Sequence, residues 1–517
     1  MAVTTFAAID IASYDVSIEI FELRKNSGLK SITRVRQNLE LGRDTYALHK
    51  ITLEKLQQLT DILSDYKRIM KEFGVSDYRA CAKSAFREAR NRYLAVDHIR
   101  RATGIEIDIL SNSEQRFLGY KSIASKGEEF QQFIQKGTAI IDVGGGSTQI
   151  SIFNKDALVM TQNMLLGSLR VRERLSSIRH ETVHFDRLVR ELIHKDLVNV
   201  RKMYLKNKEI KNIILVGDYF TNLIFQNRND LDKTETKAEF MEWYDHVVGS
   251  SPRDVADELG ISAEMSSVLI PTATVYKELI EALNVETIWL PGIQLTDGIA
   301  YDYGEKVKLI RSAHDFEKDI VLAAKNISRR YASYKPHNEK LVEAACAIFD
   351  VVRKQAGLDA RTKVLLKVAC YLHDCGKYIS LVNVGDCSYN IIMSTEIIGL
   401  SVRERRIIAN VAKYNTQELS YYKVDGITDE LSEYDYMLVC HLAAIMRLAN
   451  CLDQSYKQKV EGIAVSKKDR ELVIAVDVNS DYTLEKGIFR ENVDFFEEIY
   501  DLKPVLKIRN NEVRKNG

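Results

Sequence analysis

The sequence predicts an α/β protein of two similar lobes facing a cleft, followed by a mostly α-helical region with a small terminal β element. Two observations predict the lobes. TFAAIDIASYDVSIEIFEL alternates apolar and polar residues around a tight turn and reads as a β-hairpin whose first strand ends in Asp10. TAIIDVGGGSTQISIFN repeats that pattern around Asp142: an apolar strand, an aspartate, a turn of small residues, a returning strand. A third observation sets off the remainder, because amphipathic helical spacing dominates from about residue 306.

Between the two hairpins, TLEKLQQLTDILSDYKRIMKEFG has helical spacing and stops on glycine. DYRACAKSAFREARNR reads as strand, turn and helix, and GIEIDILSNSEQRFLGYKSI repeats that order. NIILVGDYFTNLIF supplies a further strand, turn and helix in the second lobe. Downstream, RTKVLLKVACYLHDCGKYI and DYMLVCHLAAIMRLANCLDQS are the clearest helices, with His441 read as a core histidine. Strands return at VEGIAVSKKDRELVIAVDV, around a charged tip at SKKDRE. The expected domains are 1–124, 125–305 and 306–517.

Charge is balanced, 73 basic against 73 acidic side chains, so nothing global draws the chain to a nucleic acid duplex or an anionic membrane. A polyanionic ligand has to be met by local Arg and Lys. Seven scattered cysteines without CxxC pairing read as reduced thiols in the core. The start runs straight into a strand, and no apolar run approaches the roughly 20 residues of a membrane span. The expectation is a soluble, cytoplasmic chain without a membrane segment.

The turn at Asp142 carries the chemistry. Gly144, Gly145 and Gly146 let backbone N–H groups converge on an anion without Cβ interference, and Ser147 and Thr148 add hydroxyl donors. An aspartate at the strand end, Asp142 here and Asp10 in the first hairpin, can hold Mg²⁺ directly or through water.

These segments, in this order, resemble the Ppx/GppA family of exopolyphosphatases and guanosine pentaphosphate phosphohydrolases. AAIDIASYDVSI sits where the family has a D-x-G-S-N-S turn, and AKSAFREARN follows its A-T-S-A-x-R-x-A-x-N block. IDILSNSEQRFLGY follows I-I-S-G-x-E-E-A-x-L, IIDVGGGSTQI the I-D-x-G-G-G-S-T-E loop, LLGSLRVRE the L-G-x-x-R element, and TDGIAYDYG the R-E-G-x-x-Y-D close. The resemblance implies an actin-like (ribonuclease H-like, ASKHA) fold and removal of a terminal phosphate with Mg²⁺ in the interlobe cleft. It implies polyphosphate or a guanosine phosphate as ligand, and a homodimer. It assigns metal to Asp10 and Asp142, and phosphate contacts to Ser13, Arg87, Gly144–Thr148 and Arg170.

Departures from that pattern fall on the reacting groups. Gln115 and Gln149 stand where the family has its two catalytic glutamates, and Glu114 is the neighbour that could stand in. Ala12, Tyr14 and Asp15 change the first loop. Asp218, Tyr219 and Phe220 change a third loop beside Gly217 and Thr221, and Thr296 replaces an arginine. Two readings follow: a phosphoanhydride hydrolase, or an impaired relative that binds a phosphate-rich ligand or a protein partner for regulation.

YLHDCGKYIS places His373 and Asp374 before Gly-Lys, as in an HD domain, with His337 the expected first ligand. Asn450 stands at the closing acid. The resemblance allows a second divalent metal there, but an HD-like domain without a working metal site is the favoured expectation. A third reading puts metal-dependent phosphohydrolysis in this domain.

Overall fold

The computed structural model describes residues 4–25, 28–155, 157–178, 184–202, 209–217, 233–261, 263–312, 314–419 and 431–510. It divides into two units, Met1–Asp315 and Phe316–Gly517.

The first unit holds two sheets. One contains β1 (Thr4–Ile11), β2 (Asp15–Arg24), β3 (Gly28–Asn38), β4 (Asp77–Ala82) and β5 (Ile107–Ile109), in the order β3-β2-β1-β4-β5. The other contains β6 (Thr138–Val143), β7 (Thr148–Asn154), β8 (Ala157–Met164), β9 (Asn212–Val216), β10 (Lys233–Thr236) and β11 (Thr287–Leu290). Its order is β10-β11-β9-β6-β7-β8, so β8-β7-β6-β9-β11 repeats the first sheet's plan and β10 is added at the edge. In each sheet a hairpin pairs antiparallel and its first strand then pairs parallel with the next neighbour. The duplication read from the two aspartates is therefore a duplication of topology. Asp10 lies opposite Ser17 and Cys81, and Asp142 opposite Gln149 and Val216, each at the carboxyl end of a central strand. Ligands of open α/β sheets gather at such strand ends.

β1 is buried along Phe6–Ile11, which is why its sequence is apolar on both faces until Asp10. One face is covered by the helix Leu53–Glu72, capped at Thr52, through Leu59, Leu63 and Tyr66. The other is covered by the helix Leu295–Lys306, which packs through Ile299 and Ala300 on Phe6, Ala8 and Leu118. This segment follows the second lobe in sequence yet completes the first. Gly298 permits it, because any Cβ there would strike the Leu118 carbonyl. Buried Asp302 anchors the same helix to Lys121 (2.6 Å) and Arg79 (3.1 Å). β3 escaped the sequence reading because its alternate positions are charged: Lys30, Arg34 and Arg36.

The second unit is helical. Phe316–Arg330, Lys335–Val352, Ala360–Leu372, Val402–Lys413 and Glu433–Asn450 are its main helices. β12 (Val460–Lys468) and β13 (Glu471–Val478) form the expected hairpin, turning at Asp469 with φ +53°, and β14 (Lys503–Asn510) pairs parallel with β13. The stretch Glu433–Asp453 is long and apolar enough to cross a bilayer, against the reading of no such run. It is a core helix: 78% of its apolar window is buried. All seven cysteines are free thiols, and five of them are buried.

Candidate functional site

At the carboxyl ends of the central strands, Asp10, Asp15, Arg36, Lys83, Gln115 and Asp142 line one cleft, with Gly217 and Gln294. β4 ends at Ala82, and the Lys83 N–H donates to the Ile11 carbonyl (3.0 Å). That bond sets the side chain beside Asp10, where Lys83 Nζ donates to Oδ2 at 3.1 Å. Both residues are buried. Asp15, the carboxylate in the first loop, faces Arg36: Nε lies 3.2 Å from Oδ2. Arg36 also donates from Nη2 to Gln294 Oε1 (2.9 Å). Arg36 reaches the cleft because β3 lies beside β2, with Arg36 opposite Ser17 and Arg34 opposite Glu19. One residue pair up, buried Glu19 accepts from Arg34, Ser31 and Thr296, so Thr296 is bound to a first-lobe carboxylate. Gly217, at φ +142°, lies so near Asp142 that a Cβ would stand 2.9 Å from Oδ1.

Gln115 and Gln149 are 7% and 2% exposed. Gln115 Oε1 and both amide atoms of Gln149 have no hydrogen-bond partner among the described residues. Gln115 lines the cleft, and Gln149 is the cross-strand neighbour of Asp142. Glu114 does something else. Its carboxylate accepts from Ser111 N (2.9 Å) and Ser111 Oγ (2.7 Å), closing a capping box at the start of the helix Asn112–Ala124.

The glycine turn is placed differently from an open cradle. Gly145, Gly146, Ser147 and Thr148 are buried, and Gly144 is half-buried. The Ser168 and Arg170 N–H groups, at the start of the helix Ser168–Leu175, donate to the carbonyls of Gly144 and Gly145 (3.0 Å each). Thr148 Oγ1 donates to the Leu166 carbonyl (2.8 Å). From the first lobe, Ser13, Tyr46 and Ser84 form a triangle of hydroxyls 2.7–2.9 Å apart against Gly146. Burial pushes the Tyr46 hydroxyl above its ordinary pKa, outweighing the two serine contacts, so it stays neutral. Arg170 donates from Nε to the Gly146 carbonyl (2.7 Å) and from Nη2 to both oxygens of Glu88 (2.6 Å), with its guanidinium 4.5 Å over the Tyr46 ring. Arg87 donates to the Leu110 carbonyl (2.6 Å) and is not among the cleft-lining residues. The turn thus joins the lobes. Asp218, Tyr219, Phe220 and Thr221 lie outside the described residues.

Comparison with known proteins agrees with this architecture. Residues 20–306 match the Ppx/GppA phosphatase family, and residues 322–494 match Ppx/GppA phosphatase, domain III. The chain belongs to the Ppx/GppA phosphatase family. It is 19% identical over 421 residues to the guanosine-5'-triphosphate,3'-diphosphate pyrophosphatase of Photobacterium profundum, covering 80% of this chain and 81% of that protein. A crystal structure of the Aquifex aeolicus Ppx/GppA family member has a TM-score of 0.50 at 18% identity, covering 60% of this chain and all of that one. An exopolyphosphatase from Cytophaga hutchinsonii has a TM-score of 0.51 at 17% identity, with the same coverage. At these identities the solved structures speak to fold.

Within this Ppx/GppA frame, the donors present do not fit Mg²⁺ at Asp10. A directly bound Mg²⁺ stands about 2.0–2.1 Å from its oxygens, in a near-octahedral shell. Here an ammonium already occupies the approach to Oδ2. Among the described residues no group of three or more His, Cys, Asp or Glu side chains is arranged to hold a metal ion. Lys83 and Arg36, the two cations among the described residues that line the cleft, were not singled out from sequence. Lys83 is visible as the one charged residue in the A-K-S-A run.

In domain III, His337, His373 and Asp374 come together, with the two imidazole centroids 5.5 Å apart. The acid beside them is Asp453, three residues beyond the expected position. His337 Nδ1 lies 2.9 Å from Asp453 Oδ2, and Nε2 lies 3.0 Å from Asn450 Oδ1. Both ring nitrogens are thus engaged by protein oxygens, and Tyr456 stacks on the ring at 3.7 Å. His373 donates from Nδ1 to the Cys370 carbonyl (2.8 Å), and Lys377 Nζ stands 3.7 Å from Asp374 Oδ2.

Proposed function

We infer that this Ppx/GppA chain binds a phosphate-rich ligand, polyphosphate or a guanosine phosphate, in the interlobe cleft and hydrolyses it slowly or not at all. The carrying observation is a pair of buried amides, Gln115 with Oε1 and Gln149 with both amide atoms unpartnered among the described residues. A buried polar atom without a partner costs about 1–3 kcal/mol. A ligand bearing phosphate oxygens would recover the part of that cost borne by Gln149 Nε2, because an amide N–H donates to them. Neither amide can take a proton from an attacking water, a contribution typically of about 10²–10⁴-fold. Glu114 is engaged by its own helix start and offers no substitute.

The test is orthophosphate release from long-chain polyphosphate and from pppGpp, alongside calorimetric binding of each. Binding without product by the wild type, with turnover gained in the double variant Gln115→Glu, Gln149→Glu, supports the reading. Robust wild-type turnover overturns it. One observation favours the second reading, Mg²⁺-dependent hydrolysis: Asp142 keeps its place in the cleft wall. Wild-type release that requires Mg²⁺ and vanishes in Asp142→Asn would establish it.

A further inference from the structure

The Asp10–Lys83 pair is built into the sheet. β1 and β4 are parallel neighbours with Asp10 opposite Cys81, so the second residue after Cys81 emerges at the strand ends beside the Asp10 carboxylate. The bond from the Lys83 N–H to the Ile11 carbonyl fixes where the lysine leaves the strand, and the helix Ser84–Glu88 begins directly after it. With Asp10 at 8% and Lys83 at 6% exposure, the two charged groups sit largely out of water. A buried carboxylate needs a countercharge, and removing one partner of such a pair is strongly destabilising because it leaves the other charge buried and uncompensated. The countercharge here is covalently attached. A divalent ion at the same oxygen would have to displace the ammonium, or stand within the range, about 4–6 Å, in which like charges repel strongly. Asp15 is answered the same way, by Arg36 at 3.2 Å. Two carboxylates of one cleft thus carry two cations supplied by the chain.

We propose that Lys83 is a resident substitute for a divalent cation at Asp10, so the native cleft holds no metal ion at that carboxylate. This does not depend on whether a ligand is bound or turned over, because the probe is the metal alone. The full-length chain is titrated with Mn²⁺ and followed by the loss of the free-ion paramagnetic resonance signal. The series runs in a His373→Ala background, so that the domain III histidines do not contribute. No saturable site is expected with Lys83 present. One saturable site is expected in Lys83→Thr and in Lys83→Met, and its loss when Asp10→Asn is added. Both lysine variants are checked by thermal melting, and the Lys83-containing titration decides by itself if neither folds. Saturable binding with Lys83 present that disappears in Asp10→Asn overturns the proposal. So does a folded Lys83→Thr or Lys83→Met chain that gains no site.

Discussion

Arg170 and Glu88 are joined across the two lobes by a guanidinium nitrogen 2.6 Å from both carboxylate oxygens. The same arginine holds the Gly146 carbonyl and lies over Tyr46. An element that the resemblance assigns to phosphate therefore closes the glycine turn against the first lobe. Arg170→Ala removes all three contacts. A loss of about 1.5–3 kcal/mol is expected for the charged hydrogen bonds, read by thermal or urea unfolding. Faster amide exchange at Gly146 and Ser147 is expected with it. Unchanged exchange there would mean that the turn is held shut by something other than this arginine.

Gly146 tests the other side of the same contact. A Cβ at this position would meet the Tyr46 hydroxyl and stand 2.6 Å from Ser84 Oγ. Gly146→Ala should therefore cost about 1–3 kcal/mol by overpacking. Tyr46→Ala removes the nearer of the two clashes and leaves Ser84, so the two substitutions together should cost less than their sum, by 0.5 kcal/mol or more on the usual scale of such couplings, roughly 0.5–3. Additive costs in urea unfolding would show that the turn and Tyr46 do not press on one another.

Much of this arrangement was legible, and the illegible part has a common cause. The paired hairpins were readable because apolar runs broken by a turn of small residues, with an aspartate at the strand end, are local signals, although the strands are buried on both faces. Glu114, the candidate stand-in for a catalytic glutamate, caps a helix instead, a role that the spacing Ser111-Asn112-Ser113-Glu114 also carries. The charge pairs were not readable. Asp10 and Lys83 are 73 residues apart and meet only through the parallel register of β1 and β4. Asp15 and Arg36 meet only through β3, whose charged positions hid the strand. The buried state of the glycine turn depends on Tyr46, on a helix with no mark of its own in the motif. In domain III the acid had moved from Asn450 to Asp453, within one turn, a shift that only side-chain directions resolve.

A pH dependence follows from Asp297, at the start of the helix Leu295–Lys306. Burial first, and then the charge of Glu19, push its carboxyl from the ordinary 3.8 up to about 6, against the opposing Gln294 N–H and Arg34. Between these two values the folded chain holds a proton that the unfolded chain has released. Its contribution to stability is therefore complete below about pH 4 and is lost as pH rises through 6. Asp297→Asn removes this group. The difference in unfolding free energy between wild type and variant should shift toward the variant from pH 4 to pH 7, by up to about 3 kcal/mol. A pH-independent difference would show that Asp297 ionises at its ordinary value.

Gln149 makes a prediction in which stability and binding move in opposite directions. Its amide is 2% exposed and has no partner among the described residues, beside Asp142 on the neighbouring strand. Without ligand, that amide is a cost, and an apolar side chain of similar length removes it. Gln149→Met should leave the ligand-free chain as stable as the wild type or more stable, by about 1–3 kcal/mol, the usual desolvation cost of an unsatisfied buried group. With tripolyphosphate as probe, the wild type should gain thermal stability on binding while Gln149→Met gains less. A strongly destabilised Gln149→Met would mean that the amide is satisfied within the fold, and the argument that it is held ready for a ligand would fail with it.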